Sequence, residues 1–127
     1  MLDFKKFAKD FSDEIDGRYT EYDENQSVII IPLGDNRFQT VTGYLDIHQK
    51  TSREVIYIKS KICKISEDIP YVDVLQANSA FPYARFVIED EFLKVEATEF
   101  VEHLDEKQIK EMMFEVANLA DEWEFKI

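Results

Sequence analysis

Covalent chemistry needs a nucleophile beside a base, or acids and histidines that can converge. The single cysteine, Cys63, lies in an alternating β pattern between Lys59 and Ile65. It reads either as a reactive thiol or as a small hydrophobe in a strand, and the β context favours the second. The two histidines, His48 and His103, are 55 positions apart, and neither belongs to a His-x-x-x-His or Cys-x-x-Cys pattern. A zinc site built from both needs a long-range meeting that the spacing does not announce. Both are expected to be exposed loop residues. Acids are so numerous that no pair stands out as a general acid and base. Asp23-Glu24-Asn25-Gln26-Ser27 has a hint of a calcium loop, but Val28 occupies the glycine position and no glutamate closes the loop. Gly17, Gly34 and Gly43 are scattered and form no phosphate cradle. No catalytic residue, metal ligand or cofactor is therefore expected. Two other readings stay open. One is an enzyme of unrecognised type with acids in a cleft and His48 or His103 as base; the other is a small-ligand or cation sensor using the acidic surface.

The 127 residues carry 27 acids against 15 bases, a formal charge of −12, and 45% of them are apolar. That length and composition suit one domain over residues 1–127 with a core of its own. So acidic a chain is a poor ligand for nucleic acid, which demands clustered Lys and Arg, and for anionic membranes. The acidity is uneven. Residues 89–127 have a net charge of −9, whereas residues 36–66 have a net charge of +4. The first stretch is either a solvated face or a handle for basic partners, including the basic stretch of a second copy. The run Val28-Ile29-Ile30-Ile31-Pro32-Leu33 is far short of the roughly 20 residues that span a bilayer. No secretory leader is visible, and the lone cysteine cannot form an internal disulfide, so a cytoplasmic location is expected. Asn25-Gln26-Ser27 matches a glycosylation sequon, which is chance without secretion.

The elements that would position these residues follow from periodicity. Phe4, Phe7, Ala8, Phe11 and Ile15 make one helical stripe over residues 2–15, with Gly17 as its stop. Residues 18–26 read as a polar connector. Strands follow over 27–33, 38–48 and 55–65, forming a meander, with Pro32 pointing to an edge or a strand end. A short helix enters at Pro70 and ends at Asn78, which tolerates a left-handed conformation. A hairpin of residues 83–89 and 92–97 comes next, around a glycine-free turn. Asp105 and Gln108 open the last helix as a capping box. Its stripe runs through Ile109, Met112, Met113, Val116, Leu119, Ala120 and Trp123. The expected fold is α+β, in the order α-β-β-β-α-β-β-α, with a five-stranded, mainly antiparallel sheet packed by helices.

Val72-Asp73-Val74-Leu75-Gln76-Ala77-Asn78, then Tyr83-Ala84-Arg85-Phe86-Val87-Ile88-Glu89, then Leu93-Lys94-Val95-Glu96-Ala97 form a helix ending in Asn, a strand with a basic–Phe pair and an acidic turn. With the element order, this resembles the type III secretion chaperone-like superfamily, and its YbjN-type branch in particular. Arg37-Phe38-Gln39-Thr40-Val41 and Ser60-Lys61-Ile62-Cys63 fit the same scheme more loosely, and Asp90-Glu91 replaces the Asp-Gly turn often seen there. The resemblance implies a non-enzymatic, protein-binding module, chaperone-like or regulatory, that forms a homodimer and captures an extended segment of a partner protein.

From the residues themselves, two surfaces are expected to meet that partner. One is the backbone of a strand edge near Ile29 and Ile31, where an Ile-rich strand has few gatekeepers. The other is the aromatic and methionine-rich part of the last helix, namely Met113, Phe114, Trp123 and Phe125. Phe114 falls off the main stripe and is the best single candidate for exposure.

Overall fold

The structure is a computed structural model that describes residues 2–21 and 26–127. These residues fold as one α+β domain. Helix α1 (Phe4–Glu14) leads into β1 (Arg18–Glu21), β2 (Gln26–Gly34), β3 (Arg37–Ile47) and β4 (Glu54–Lys64). Helix α2 (Tyr71–Ala77), β5 (Ala84–Glu89), β6 (Phe92–Phe100) and α3 (Glu106–Lys126) complete the chain. The strands form one antiparallel sheet in the order β1-β2-β3-β4-β6-β5.

The sheet therefore has six strands, not the expected five, and the order gains a strand after α1. Arg18-Tyr19-Thr20-Glu21, read as connector, pairs with Ser27 to Ile30. Its own residues give little reason for a strand, because three of the four are exposed. The free edge of β2 imposes the conformation. The consequence is direct: β2 is an interior strand, so the expectation of an open edge at Ile29 and Ile31 is corrected. Pro32 sits at a register shift near the end of β2. The calcium-like and sequon readings rest on residues 23–25, which lie outside the described residues, as does part of the expected connector.

Strand alternation sends Ile29, Ile31, Val41, Ile56, Ile58, Val95 and Ala97 to one face, where all are buried. Helices α1 and α3 lie on that face. Asp3 caps α1 through the Lys6 N–H at 3.1 Å. Phe4, Phe7 and Phe11 form its buried stripe, with successive rings stacked about 6 Å apart. Gly43 lets α1 approach: a Cβ there would stand 2.6 Å from the Phe4 ring. The capping box of Asp105 and Gln108 starts α3 as expected. Met112, Met113 and Val116 are fully buried beneath it.

The hairpin β5–β6 turns on Asp90 and Glu91, at φ 54° and 67°. Two consecutive left-handed residues make this a type I′ turn, which glycine or asparagine normally fills. Glu91 bears a Cβ penalty there of about 1–2 kcal/mol, partly offset in Gly by the entropy of the unfolded chain. Glu91→Gly is expected to stabilise the fold by about 0.5–1 kcal/mol, read as a higher urea midpoint with an unchanged slope.

Candidate functional site

A concavity lies where β3 and β4 part. Their ladder runs from Ile47↔Glu54 to Thr42↔Lys59 and goes no further, although β3 reaches back to Arg37 and β4 on to Lys64. Beyond Thr42 and Lys59, side chains take the place of backbone bonds. The Ser60 hydroxyl donates to the Thr40 carbonyl at 2.7 Å. The Gln39 amide donates to the Ser60 hydroxyl at 2.8 Å, the Lys61 carbonyl at 3.3 Å and Glu124 of α3 at 3.3 Å. The cleft is an open concavity of about 810 Å³, and Phe38, Thr40, Thr42, Lys59 and Lys61 line it, with Glu124 from α3. Phe38 is 60% exposed.

The far wall is a charge network on the sheet face opposite α1 and α3. Lys94 and Glu96 are each only 7% exposed. Lys59 bonds Glu89 at 2.9 Å and stands 3.6 Å from Glu96. Arg85 holds the other oxygen of Glu96 at 2.9 Å, while Lys94 meets Glu89 at 2.8 Å and Asp90 at 3.6 Å. Tyr44 and Tyr57 stack at 5.0 Å, with the Lys59 ammonium 5.3 and 5.4 Å from their ring centres. Three bases and three acids thus neutralise one another. Lys61 is outside the network: it lies 4.3 Å from the Phe92 ring centre, and no acid among the described residues pairs with it.

Burial pulls the Lys59 ammonium down, but hydrogen bonds and charge from Tyr44 and Glu89 outweigh it and raise it above its ordinary 10.5. Glu89 moves the other way. Its hydrogen bonds to Lys94 and Lys59 hold it below its ordinary 4.5 against the opposing effect of burial. Glu89 therefore contributes its full stability above about pH 4.5, and the contribution is lost as pH falls through its lowered native value. Lys59 contributes below about pH 10.5 and loses its contribution as pH rises through its raised native value. Urea denaturation should show Glu89→Gln less stable than the parent at pH 7, with the gap narrowing at pH 3.

The residues singled out for chemistry are dispersed. Cys63 is half-buried; burial, then the charge of Glu124, push its thiol up, which keeps it protonated and a poor nucleophile at neutral pH. The hydroxyl of Ser60 gives its proton to a carbonyl, with no base against it. His48 and His103 meet the same ring, which their spacing did not announce: both lie edge-on to Phe100, at 6.5 and 5.9 Å. Arg53 covers the same ring at 3.5 Å, pairs with Glu102 and lies 3.3 Å from His103 Nε2. This ties the β3–β4 turn to the connection before α3. Among the described residues, no group of three or more His, Cys, Asp or Glu is placed to hold a metal ion.

Most of the expected partner contacts are core. Ile29, Ile31 and Met113 are at most 1% exposed and Trp123 is 7% exposed, so a partner cannot reach their side chains in the folded chain. The Ile residues fall on the helix-covered face of β2, and Met113 and Trp123 on the sheet-facing side of α3. Phe114 is 36% exposed and touches Phe11 edge-on at 5.5 Å. Phe125 is 72% exposed, beneath the Arg37 guanidinium.

Asn78 has a role that its sequence position concealed. It is right-handed, at φ −55°, rather than left-handed, and its side-chain oxygen accepts the Phe86 N–H at 2.7 Å. Glu115 of α3 accepts the N–H groups of Tyr83 and Ala84 at 2.9 and 2.7 Å. Together they occupy much of the outer edge of β5, a common defence against strand addition. The opposite edge, β1, has only four residues. No protein-family model matches the chain, and no curated protein is significantly similar to it. No helix among the described residues is long and apolar enough to cross a membrane.

Proposed function

We propose that this chain is a non-enzymatic protein-binding module, chaperone-like or regulatory, that holds an extended segment of a partner protein. The observation that supports it is the parting of β3 from β4 in mid-sheet. Beyond Thr42 and Lys59 the two strands no longer pair with each other, although each stays paired to its other neighbour, and the Thr40 and Lys61 carbonyls that face the gap are held by side chains. Strand backbone is the surface that an extended chain recognises, because main-chain hydrogen bonds give affinity and alternate side chains give specificity. Gln39 and Ser60 can release those carbonyls without breaking a ladder pair. The homodimer that the residue-level resemblance to secretion chaperone-like proteins implies is part of the same proposal, and light scattering at micromolar concentration tests it.

Panning a random peptide library on the immobilised chain tests the function. Enriched peptides that then bind saturably in calorimetry, one per chain, are the expected result. No enrichment over an unrelated protein of equal charge contradicts the reading.

A further inference from the structure

Helix α2 is apolar on two sides. Its inner side packs on the core through Val74, which is 3% exposed, with Tyr71 and Ala77 half-buried beside it. Val72 and Leu75 lie three residues apart, and so on one arc of the helix, and each is 68% exposed. Asp73 and Gln76 are the only charged or amide residues among the seven of α2. A surface helix normally keeps one apolar stripe, whereas a helix apolar all round is one that is buried on every side. The core covers the inner side of α2, and no described residue covers Val72 and Leu75 on the outer side.

The surrounding charge selects the cover. Between Lys64 and Arg85 the chain has three acids, Glu67, Asp68 and Asp73, and no base. All three are exposed, and none takes part in an ion pair among the described residues. Arg85 itself is engaged by Glu96. A two-fold contact between α2 and the α2 of a second copy would set these acids against their own counterparts, and an anionic membrane would repel them in the same way. A segment that carries Lys or Arg beside its aliphatic side chains avoids both repulsions. Helix α2 offers side chains rather than free strand backbone, so its counterpart is a second helix and not an added strand. We infer that the outer side of α2 docks a basic amphipathic helix of a partner protein. The aliphatic stripe of that helix covers Val72 and Leu75, and its flanking cations meet Glu67, Asp68 and Asp73. No residue of α2 lines the cleft between β3 and β4, so this surface goes beyond the extended-segment reading.

Two fourteen-residue peptides of Leu and Lys in equal numbers test it against the full chain by amide chemical-shift titration. One places Leu at helical spacing; the other has the same composition with that stripe scrambled. The striped peptide is expected to bind at least about tenfold more tightly and to shift the amides of residues 71–77. Leu75→Ser should weaken it about tenfold, the effect of losing one partly buried aliphatic contact, while Leu75→Met retains binding. Both variants should keep the parent circular dichroism spectrum, since Leu75 is exposed. Equal affinity for the scrambled peptide reduces the contact to charge alone and overturns the inference. Shifts confined to another surface, indifference to Leu75→Ser, or no response to either peptide overturns it too. Self-association of the free chain that Leu75→Ser abolishes assigns the face to a second copy and overturns it equally. None of these outcomes touches the extended-segment reading, which the peptide library decides separately.

Discussion

Arg37→Ala is expected to cost about 2–3 kcal/mol of stability, more than an exposed arginine normally contributes. Its partner explains the size. Asp121 of α3 is only 5% exposed, and the Arg37 guanidinium bonds its carboxylate from the start of β3. Removing the arginine leaves a buried charge with no counterpart. Removing the aspartate leaves an arginine that is half-exposed and can be hydrated, so Asp121→Ala should cost less than Arg37→Ala. The same arginine lies 5.2 Å from the Phe125 ring centre, which secures the last turn of α3. A double-mutant cycle by urea denaturation should give a coupling of about 1–2 kcal/mol, and additive costs would show that the pair does not hold α3 to the sheet.

Gly17→Ala acts at the other end of the sheet, with an expected loss of about 1–3 kcal/mol. A Cβ at residue 17 would stand 2.5 Å from the Ile30 carbonyl oxygen. That oxygen belongs to strand backbone and cannot swing aside, so the chain must move β1 away from β2. The β2 edge thus uncovered carries Val28-Ile29-Ile30-Ile31, a run with high β propensity and no charge. The variant should therefore associate with itself at concentrations where the parent does not, read by light scattering alongside the thermal midpoint. Lower stability without association would mean that β1 stays paired.

These two sites also show how far the sequence carries. Both long helices, the meander and the second hairpin are legible because each has its own apolar period, and the capping box of Asp105 and Gln108 marks the start of α3 in plain residues. Strand β1 is not legible, because Arg18-Tyr19-Thr20-Glu21 has no such period and becomes a strand only against β2. That omission, with Pro32 pointing the same way, made β2 look like an edge and Ile29 and Ile31 look available. Met113 and Trp123 misled for a related reason: adaptable and aromatic side chains suit an interface and a core equally, and only the packed sheet distinguishes the two. The cleft left a weaker trace. Gln39 and Ser60 are polar residues at inward-facing strand positions, a local conflict with the core pattern that marks where the ladder gives way. Their meeting depends on the register of β3 against β4, which one chain's sequence does not specify.

The central claim is that strand backbone lies unpaired in the middle of this sheet, ready for a partner's. Amide hydrogen exchange followed by NMR tests it most directly. The Phe38, Thr40 and Lys61 amides should exchange at least about tenfold faster than those of Thr42 and Lys59, where the ladder still holds. Equal protection along both strands in the free chain would contradict the account.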